Sequence, residues 1–300
     1  MRQVEMSWPR HAATAMPVSG WPFVPSVPFA QALQRLLVAT QGLSLAGWEA
    51  SCRLSPGGLT TNRLLLGLDT ASVAVQRLQA LPQMLGMPQA LAAAFLNELP
   101  HTHRLLLAAE QGPQGLELRV YHEFLSAAIA STDLPQALVM RGRKWRGDGL
   151  QPAARTTDYL RPGMDAAAWQ RWLRERSGLP AAAAAAMDFL ADAVALVRTG
   201  DAPMPDFLTV IEPPSSRLSC CVRLYDKHVT LQAVRPALTR LAQAWHLPQA
   251  VLARLPGQRR LGWLAVGTDA LGSPFLTLYA VSSLADARQA ITLGAFDDPL

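Results

Sequence analysis

Arginine and tyrosine share strand faces in this chain. Arg119 and Tyr121 lie two residues apart, with Glu117 and Glu123 extending the same face and Leu118 and Val120 opposing it. Ser219, Cys221, Arg223 and Tyr225 oppose Cys220, Val222 and Leu224, and Thr277 and Tyr279 oppose Leu276, Leu278 and Ala280. Earlier in the chain Glu49, Ser51 and Arg53 alternate with Ala50, Cys52 and Leu54, and Arg63 and Leu65 alternate with Leu64, Leu66 and Leu68. A period of two puts each set on one side of a β-strand. A guanidinium offers a planar fork of donors to phosphate or carboxylate oxygens. A phenol ring offers an electron-rich face to a cation. A strand face that mixes these two, with little lysine, suits the lining of a binding cavity better than a sheet wetted by bulk water.

The 300 residues are 50% apolar, enough to bury a sizeable core. The net charge is +5, and Lys144 and Lys227 are the only lysines in it. A basic balance admits an anionic ligand such as a diphosphate, and it admits nucleic acid. The run Arg141-Gly-Arg-Lys-Trp-Arg146 is a basic, aromatic-bearing segment. Its shortness favours a solvated loop or a lid over a diphosphate, so no nucleic-acid partner is expected. No apolar run reaches the roughly 18–20 residues of a membrane span, and no apolar stretch follows Arg2, Glu5 and Arg10 as a signal peptide requires. The three cysteines form neither a disulfide framework nor a ligand pattern. A cytoplasmic setting without a membrane partner is the simplest expectation. His101, His103, His122, His228 and His246 match no metal-ligand spacing and anchor no catalytic triad.

Prolines at 9, 17, 22, 25 and 28 make residues 1–28 an extended arm, followed by a single domain over residues 29–300. Hairpins are expected over Gly47–Leu68, Arg104–Phe124, Ala137–Arg161, Phe207–Tyr225 and Arg260–Val281. Helical patterns separate them: Ala71–Leu99, broken near Pro82 and Pro88, then Asp165–Thr199, then Thr230–Arg254, with a last helix over Leu284–Leu293. Residues 47–124 and 206–281 repeat one plan, and their interrupted helices carry Met87-Pro-Gln-Ala-Leu and Leu247-Pro-Gln-Ala-Val. The fold class is therefore α+β: about ten antiparallel strands closed into a barrel, ringed by α-helices, with a polar lumen. An open sheet with its polar face in solvent is the competing architecture.

Leu43-Ser-Leu-Ala-Gly-Trp-Glu49-Ala-Ser-Cys-Arg, followed by Leu59-Thr-Thr-Asn-Arg63-Leu-Leu-Leu-Gly-Leu-Asp69, resembles the first hairpin of the cyanobactin peptide prenyltransferases, which share the ABBA barrel. The likeness recurs at Leu118-Arg119-Val120, at Arg223-Leu-Tyr225 and from Leu261-Gly-Trp to Tyr279, and it thins between residues 125 and 205. It implies transfer of an isoprenyl group from its diphosphate to a nucleophilic side chain of a ribosomal peptide, cyclic or linear. In that reading Arg63 and Arg119, joined by Arg104 and Arg223, bind the diphosphate. Tyr121, Tyr225 and Tyr279 shield the carbocation, and Glu49 takes the acceptor's proton. Magnesium would ride on the diphosphate oxygens with no protein ligand. Trp263 and Gly262 would set donor length, one of them facing inward, with dimethylallyl diphosphate favoured over geranyl diphosphate. Where relatives carry aromatic residues this chain has Thr277 and Leu278, and Glu117 stands where a basic or polar residue is expected. Two other functions fit the barrel: prenylation of a small aromatic metabolite, and non-catalytic binding of an acidic or lipid-like ligand.

Overall fold

The computed structural model describes residues 20–112, 115–124, 136–146, 155–162, 181–197, 205–213, 215, 218–269 and 271–295. Eleven strands form one antiparallel sheet: β1 Leu45–Ser55, β2 Gly58–Thr60, β3 Arg63–Asp69, β4 Thr102–Gly112, β5 Gly115–Phe124, β6 Gln136–Arg146, β7 Arg155–Pro162, β8 Phe207–Ile211, β9 Leu218–Arg223, β10 Leu261–Thr268 and β11 Pro274–Ser282. β2 is a stub on the end of β1. The other ten follow one another around a barrel, which β1 and β11 close by pairing from Trp48↔Ser282 to Leu54↔Leu276. Closure leaves the circuit without an exposed edge.

The alternation read from the sequence sorts the side chains into two cores. Leu64, Leu66, Leu105, Leu107, Val120, Val222, Leu264 and Leu278 point outward and pack under the helices. Leu65, Leu106, Tyr121, Tyr159, Leu208, Cys221, Tyr225 and Phe275 form a second cluster inside the barrel. Helices cover the outside at Val27–Ala39, Val75–Met84, Gln89–Glu98, Ala181–Val197, Arg235–Ala244, Gln249–Ala253 and Leu284–Ala295. None of the described helices is long and apolar enough to cross a membrane.

Several expectations needed adjustment. The helix from Val75 continues past Pro82 to Met84, and Gly86 at φ 64° turns the chain before Pro88 opens the next helix. His246 at φ 55° occupies the matching turn of the second repeat. The basic run 141–146 is a barrel strand, not a loop or lid. Arg141 binds Asp158 at 2.6 and 2.8 Å, Arg143 binds Glu98 at 2.5 and 2.6 Å, and Trp145 is buried. The arm up to residue 19 and the expected helix up to residue 180 lie outside the described residues. Residues 20–26 form no helix or strand, the first helix starts at Val27 within the expected arm, and Trp21 is buried with its indole N–H donated to the Thr61 carbonyl at 3.1 Å.

Candidate active site

Ten strands leave room inside for more than side chains. A pocket opens in the lumen, walled by side chains from most of the barrel strands. Glu49, Leu65, Leu106, Tyr121, Tyr159, Cys221, Trp263 and Tyr279 form its wall, and Glu123, Arg223 and Tyr225 stand at one end. The three expected tyrosines therefore meet in one cavity. Tyr159 joins them, its ring 5.9 Å from Tyr121 and edge-on to it. Sequence reading missed Tyr159, though Arg155, Thr157, Tyr159 and Arg161 share one strand face and repeat the mix of arginine and tyrosine seen on the other strands. Tyr121 lies flat over Gly142, where a Cβ would come within 2.7 Å of the ring.

The next inward positions along these strands make a charged layer beyond the tyrosines. Arg63 on β3 forms a close ion pair with Glu110 on β4, and its Nε donates to Ser51 Oγ at 3.1 Å. Arg119 on β5 contacts the same Glu110 and binds Glu117 at 2.7 Å. Lys144 binds Glu212 at 2.9 Å, and Arg155 binds Glu117 at 2.8 Å. Burial pulls Arg63 down to about 10. It pulls Lys144 down to about 8, helped by the charge of Arg119. Burial alone would raise Glu117, but Arg119, Lys144 and Arg155 hold its pKa down to about 2. The two arginines expected to clamp a diphosphate are thus adjacent, and carboxylates hold them. The cross-strand partner Glu110↔Glu117 explains this. Single-strand alternation shows neither pairing.

Arg104 and Arg223 do not join that clamp. Arg104 pairs with Glu123 at 3.6 Å, and Glu123 is four residues from Arg119 on β5, about 13 Å at roughly 3.3 Å per residue. Arg223 sits at the same far end and binds Asp226 at 2.5 Å. Glu49 is there too. It is 3% exposed and accepts a very short hydrogen bond from Tyr225 Oη, which the turn after β9 brings inward. Burial lifts Glu49 to about 8 against that bond, and it lifts Glu123 to about 7 against Arg104, Arg223 and Arg161. Tyr225 is pushed up by burial and by Glu49. Tyr279 is pushed up to about 12 by burial, with Arg63 opposing the rise.

Gly262 and Trp263 both face this cavity, contrary to the expectation that only one could. A bulge between Leu261 and Trp263 breaks the alternation. Leu261 packs outward, Trp263 lines the pocket, and a Cβ on Gly262 would meet Glu49 Oε1 at 2.4 Å and the Tyr225 ring at 2.6 Å. Gly262 leaves no spare volume for a longer donor. It makes room for the Glu49–Tyr225 pair.

A closed barrel of ten antiparallel strands, ringed by helices and holding its polar site in the lumen, has counterparts among solved structures. One is 5-dimethylallyltryptophan synthase from Streptomyces coelicolor: TM-score 0.56, 15% identity, 87% of this chain and 99% of that one covered. The fold is that of the ABBA prenyltransferases. The same barrel recurs in NotF in complex with brevianamide F and DMSPP, at TM-score 0.51 and 11% identity over 84% of this chain and 92% of that one. A second structure of NotF prenyltransferase gives 0.50 at 11% identity over 79% of this chain and 81% of that one. No protein-family model matches the sequence, and no curated protein matches it. In the ABBA barrel described here, no group of three or more His, Cys, Asp or Glu residues converges as a metal cage among the described residues. Glu110, Glu117 and Glu212 each contact arginine or lysine instead.

Proposed function

We propose that this chain transfers an isoprenyl group, dimethylallyl rather than geranyl, from its diphosphate to an electron-rich acceptor in the lumen. One observation carries the reading: a tyrosine-walled pocket includes a buried, hydrogen-bonded glutamate in its lining, and Arg63 and Arg119 follow the pocket residues Leu65 and Tyr121 at the next inward position of their strands. Arg63 and Arg119 turn from Glu110 and Glu117 to the diphosphate oxygens. The allylic C–O bond breaks, and its electron pair leaves with the diphosphate. Tyr121, Tyr159 and Tyr279 face the resulting cation with ring π-density, and the dry pocket denies it water. The acceptor's electron pair forms the new bond, and its displaced proton passes to Glu49 once that carboxyl is ionised. A magnesium ion that takes part would arrive on the diphosphate oxygens and neutralise charge there.

Two acceptor classes fit. The first-hairpin likeness to cyanobactin enzymes supports a nucleophilic side chain of a ribosomal, macrocyclic peptide. The solved structures with the same fold support a small aromatic molecule, since one is a 5-dimethylallyltryptophan synthase and another is a complex with brevianamide F. The deciding experiment incubates the protein and its Glu49→Gln variant with dimethylallyl and geranyl diphosphate, with and without EDTA. The acceptors are tryptophan, tryptophan-containing cyclic dipeptides and a panel of macrocyclic peptides, with products read by mass spectrometry. A mass gain of one prenyl group that depends on Glu49 supports the transferase reading. Tight binding of an isoprenyl diphosphate without product on any acceptor supports a non-catalytic barrel.

A further inference from the structure

Tyr225 reaches Glu49 from 176 residues further along the chain, and three local features bring it there. β9 ends at Arg223, and a helical turn over Tyr225–Lys227, followed by His228 at φ 52°, carries the ring inward. The Leu224 N–H donates to the Gly262 carbonyl at 2.7 Å, and Arg260 Nη2 donates to the Tyr225 carbonyl at 3.1 Å, so the turn is pinned to the start of β10. The bulge in β10 then sets Gly262 against both partners, where any side chain would displace one of them. Tyr225 is buried, as Glu49 is, and its hydroxyl donates to Glu49 Oε1. A ring that only shielded a cation would need neither that hydroxyl nor the glycine.

We propose that Tyr225 is a positioning residue for the base: its hydroxyl holds Glu49 Oε1, Oε2 is left to take the acceptor's proton, and Gly262 makes room for the bond. The proposal rests on the prenyl-transfer reading and assigns Tyr225 to the base instead of the cation. The bond also has a sign. A donor favours the ionised carboxylate over the acid, so Tyr225 opposes the burial that raises Glu49. The charged and titratable groups around Glu49 are Arg63 on β3, Arg104 on β4, Tyr121 and Glu123 on β5, Tyr159 on β7, Cys221 and Arg223 on β9, and Tyr279 on β11. Arg104 and Arg223 act on Glu123 and Tyr225, and Arg63 is held by Glu110 and Ser51. Burial and the phenol therefore set Glu49.

The C=O stretch of the protonated carboxyl, followed against pH by infrared spectroscopy and assigned by its loss in Glu49→Gln, reports the Glu49 midpoint without turnover. Tyr225→Phe keeps the ring and loses the hydroxyl. Gly262→Ala keeps both partners and puts a methyl between them, on a backbone outside the left-handed region. Both should raise the midpoint, Tyr225→Phe by about one to two pH units, the scale of a hydrogen bond to a charged group. Turnover with dimethylallyl diphosphate at pH 7 should fall about ten- to a hundredfold in Tyr225→Phe, by the same conversion. That deficit should close as pH climbs past the raised midpoint, with the donor's KM unchanged. An unmoved midpoint in Tyr225→Phe, or in Gly262→Ala should the first variant not fold, overturns the proposal. So does a rate loss equal at every pH, or full turnover in Tyr225→Phe at pH 7. A midpoint that shifts in a protein whose wild type makes no product counts against the prenyl-transfer reading alone.

Discussion

Carboxyls stand beside arginines at two heights of the barrel, yet the two places drive those carboxyls in opposite directions. At the clamp end, Arg119, Lys144 and Arg155 crowd Glu117 and hold it at about 2. At the far end, Glu49 has a phenol for a partner and rises to about 8, while Glu123 rises to about 7 although arginines surround it. The difference lies in what each carboxyl contacts. Direct bonds to cations outweigh desolvation in the first case, and desolvation wins in the second. One barrel can thus keep a permanent anion that restrains its cationic clamp and a titratable acid that exchanges protons near neutrality.

The largest expected effect comes from breaking the titratable end. Glu49→Gln keeps the shape and removes the proton acceptor, so turnover should fall by about a hundredfold or more while pyrophosphate affinity holds. In the wild type, Glu49 is mostly protonated at neutral pH, so kcat should climb as pH rises through about 8. A rate profile flat from pH 6 to 9, or full activity in the variant, would remove Glu49 from the chemistry.

Breaking the clamp end should cost less and cost it in donor binding. Arg63→Ala and Arg119→Ala should each weaken pyrophosphate by about 1.5–3 kcal/mol and leave acceptor affinity nearly unchanged. Glu117→Gln should strengthen pyrophosphate binding, because it releases Arg119 from a competing anion. Titrations in which Glu117→Gln weakens binding would show that Glu117 positions Arg119 rather than restraining it.

Trp263 sharpens the comparison from the pocket wall between the two ends. Trp263→Gly should admit geranyl diphosphate, since each additional buried methylene is worth about 0.8 kcal/mol once volume exists for it. Unchanged donor preference by competition assay would place the chain-length limit elsewhere on the wall.

The smallest effect is on stability. Glu49 has its folded pKa raised, so the stability from keeping it neutral is fully present below its unfolded value of 4.5 and is lost as pH rises through about 8. Glu117 is depressed. Its contribution is present above 4.5 and is lost as pH falls toward about 2. Melting temperature should therefore fall modestly between pH 5 and 8, and Glu49→Gln should flatten that slope. An identical slope in both proteins would mean that the raised value is wrong.

Much of this arrangement was legible in the chain. Period-two alternation placed Arg63, Arg119, Tyr121 and Glu49 inside, because a strand with one greasy face can orient in only one way under a helical coat. Tyr225, expected on the same strand as Arg223, comes inward instead from the turn that follows it. The five hairpins and the repeat were legible for the same reason. What stayed hidden depends on neighbours distant in sequence. Glu110 reaches Arg63 only through the β3–β4 register. The bulge before Trp263 is a two-strand feature with no mark in Leu261-Gly-Trp beyond its glycine. The four arginines looked equivalent because alternation reports a side chain's face and says nothing of its height along the barrel. The 141–146 run misled because its charges suggested water, whereas Glu98, Asp158 and Glu212 absorb them.

The seam between β1 and β11 has a consequence for how the chain is made. Trp48 waits for Ser282, 234 positions later (282 − 48). At a synthesis rate of about 5–20 residues per second, β1 presents an unpaired edge for on the order of 10–50 seconds. During that interval the lumen is a trough, its polar face open to water on one side. Each barrel strand, β11 included, can add to the barrel strand before it as it emerges, but the pocket exists only when β11 also reaches back to β1. A nascent chain halted anywhere before Pro274 carries two sticky edges, β1 and the newest strand, and no enclosed site. Such a chain is expected to need a chaperone's shelter, and the finished barrel is not.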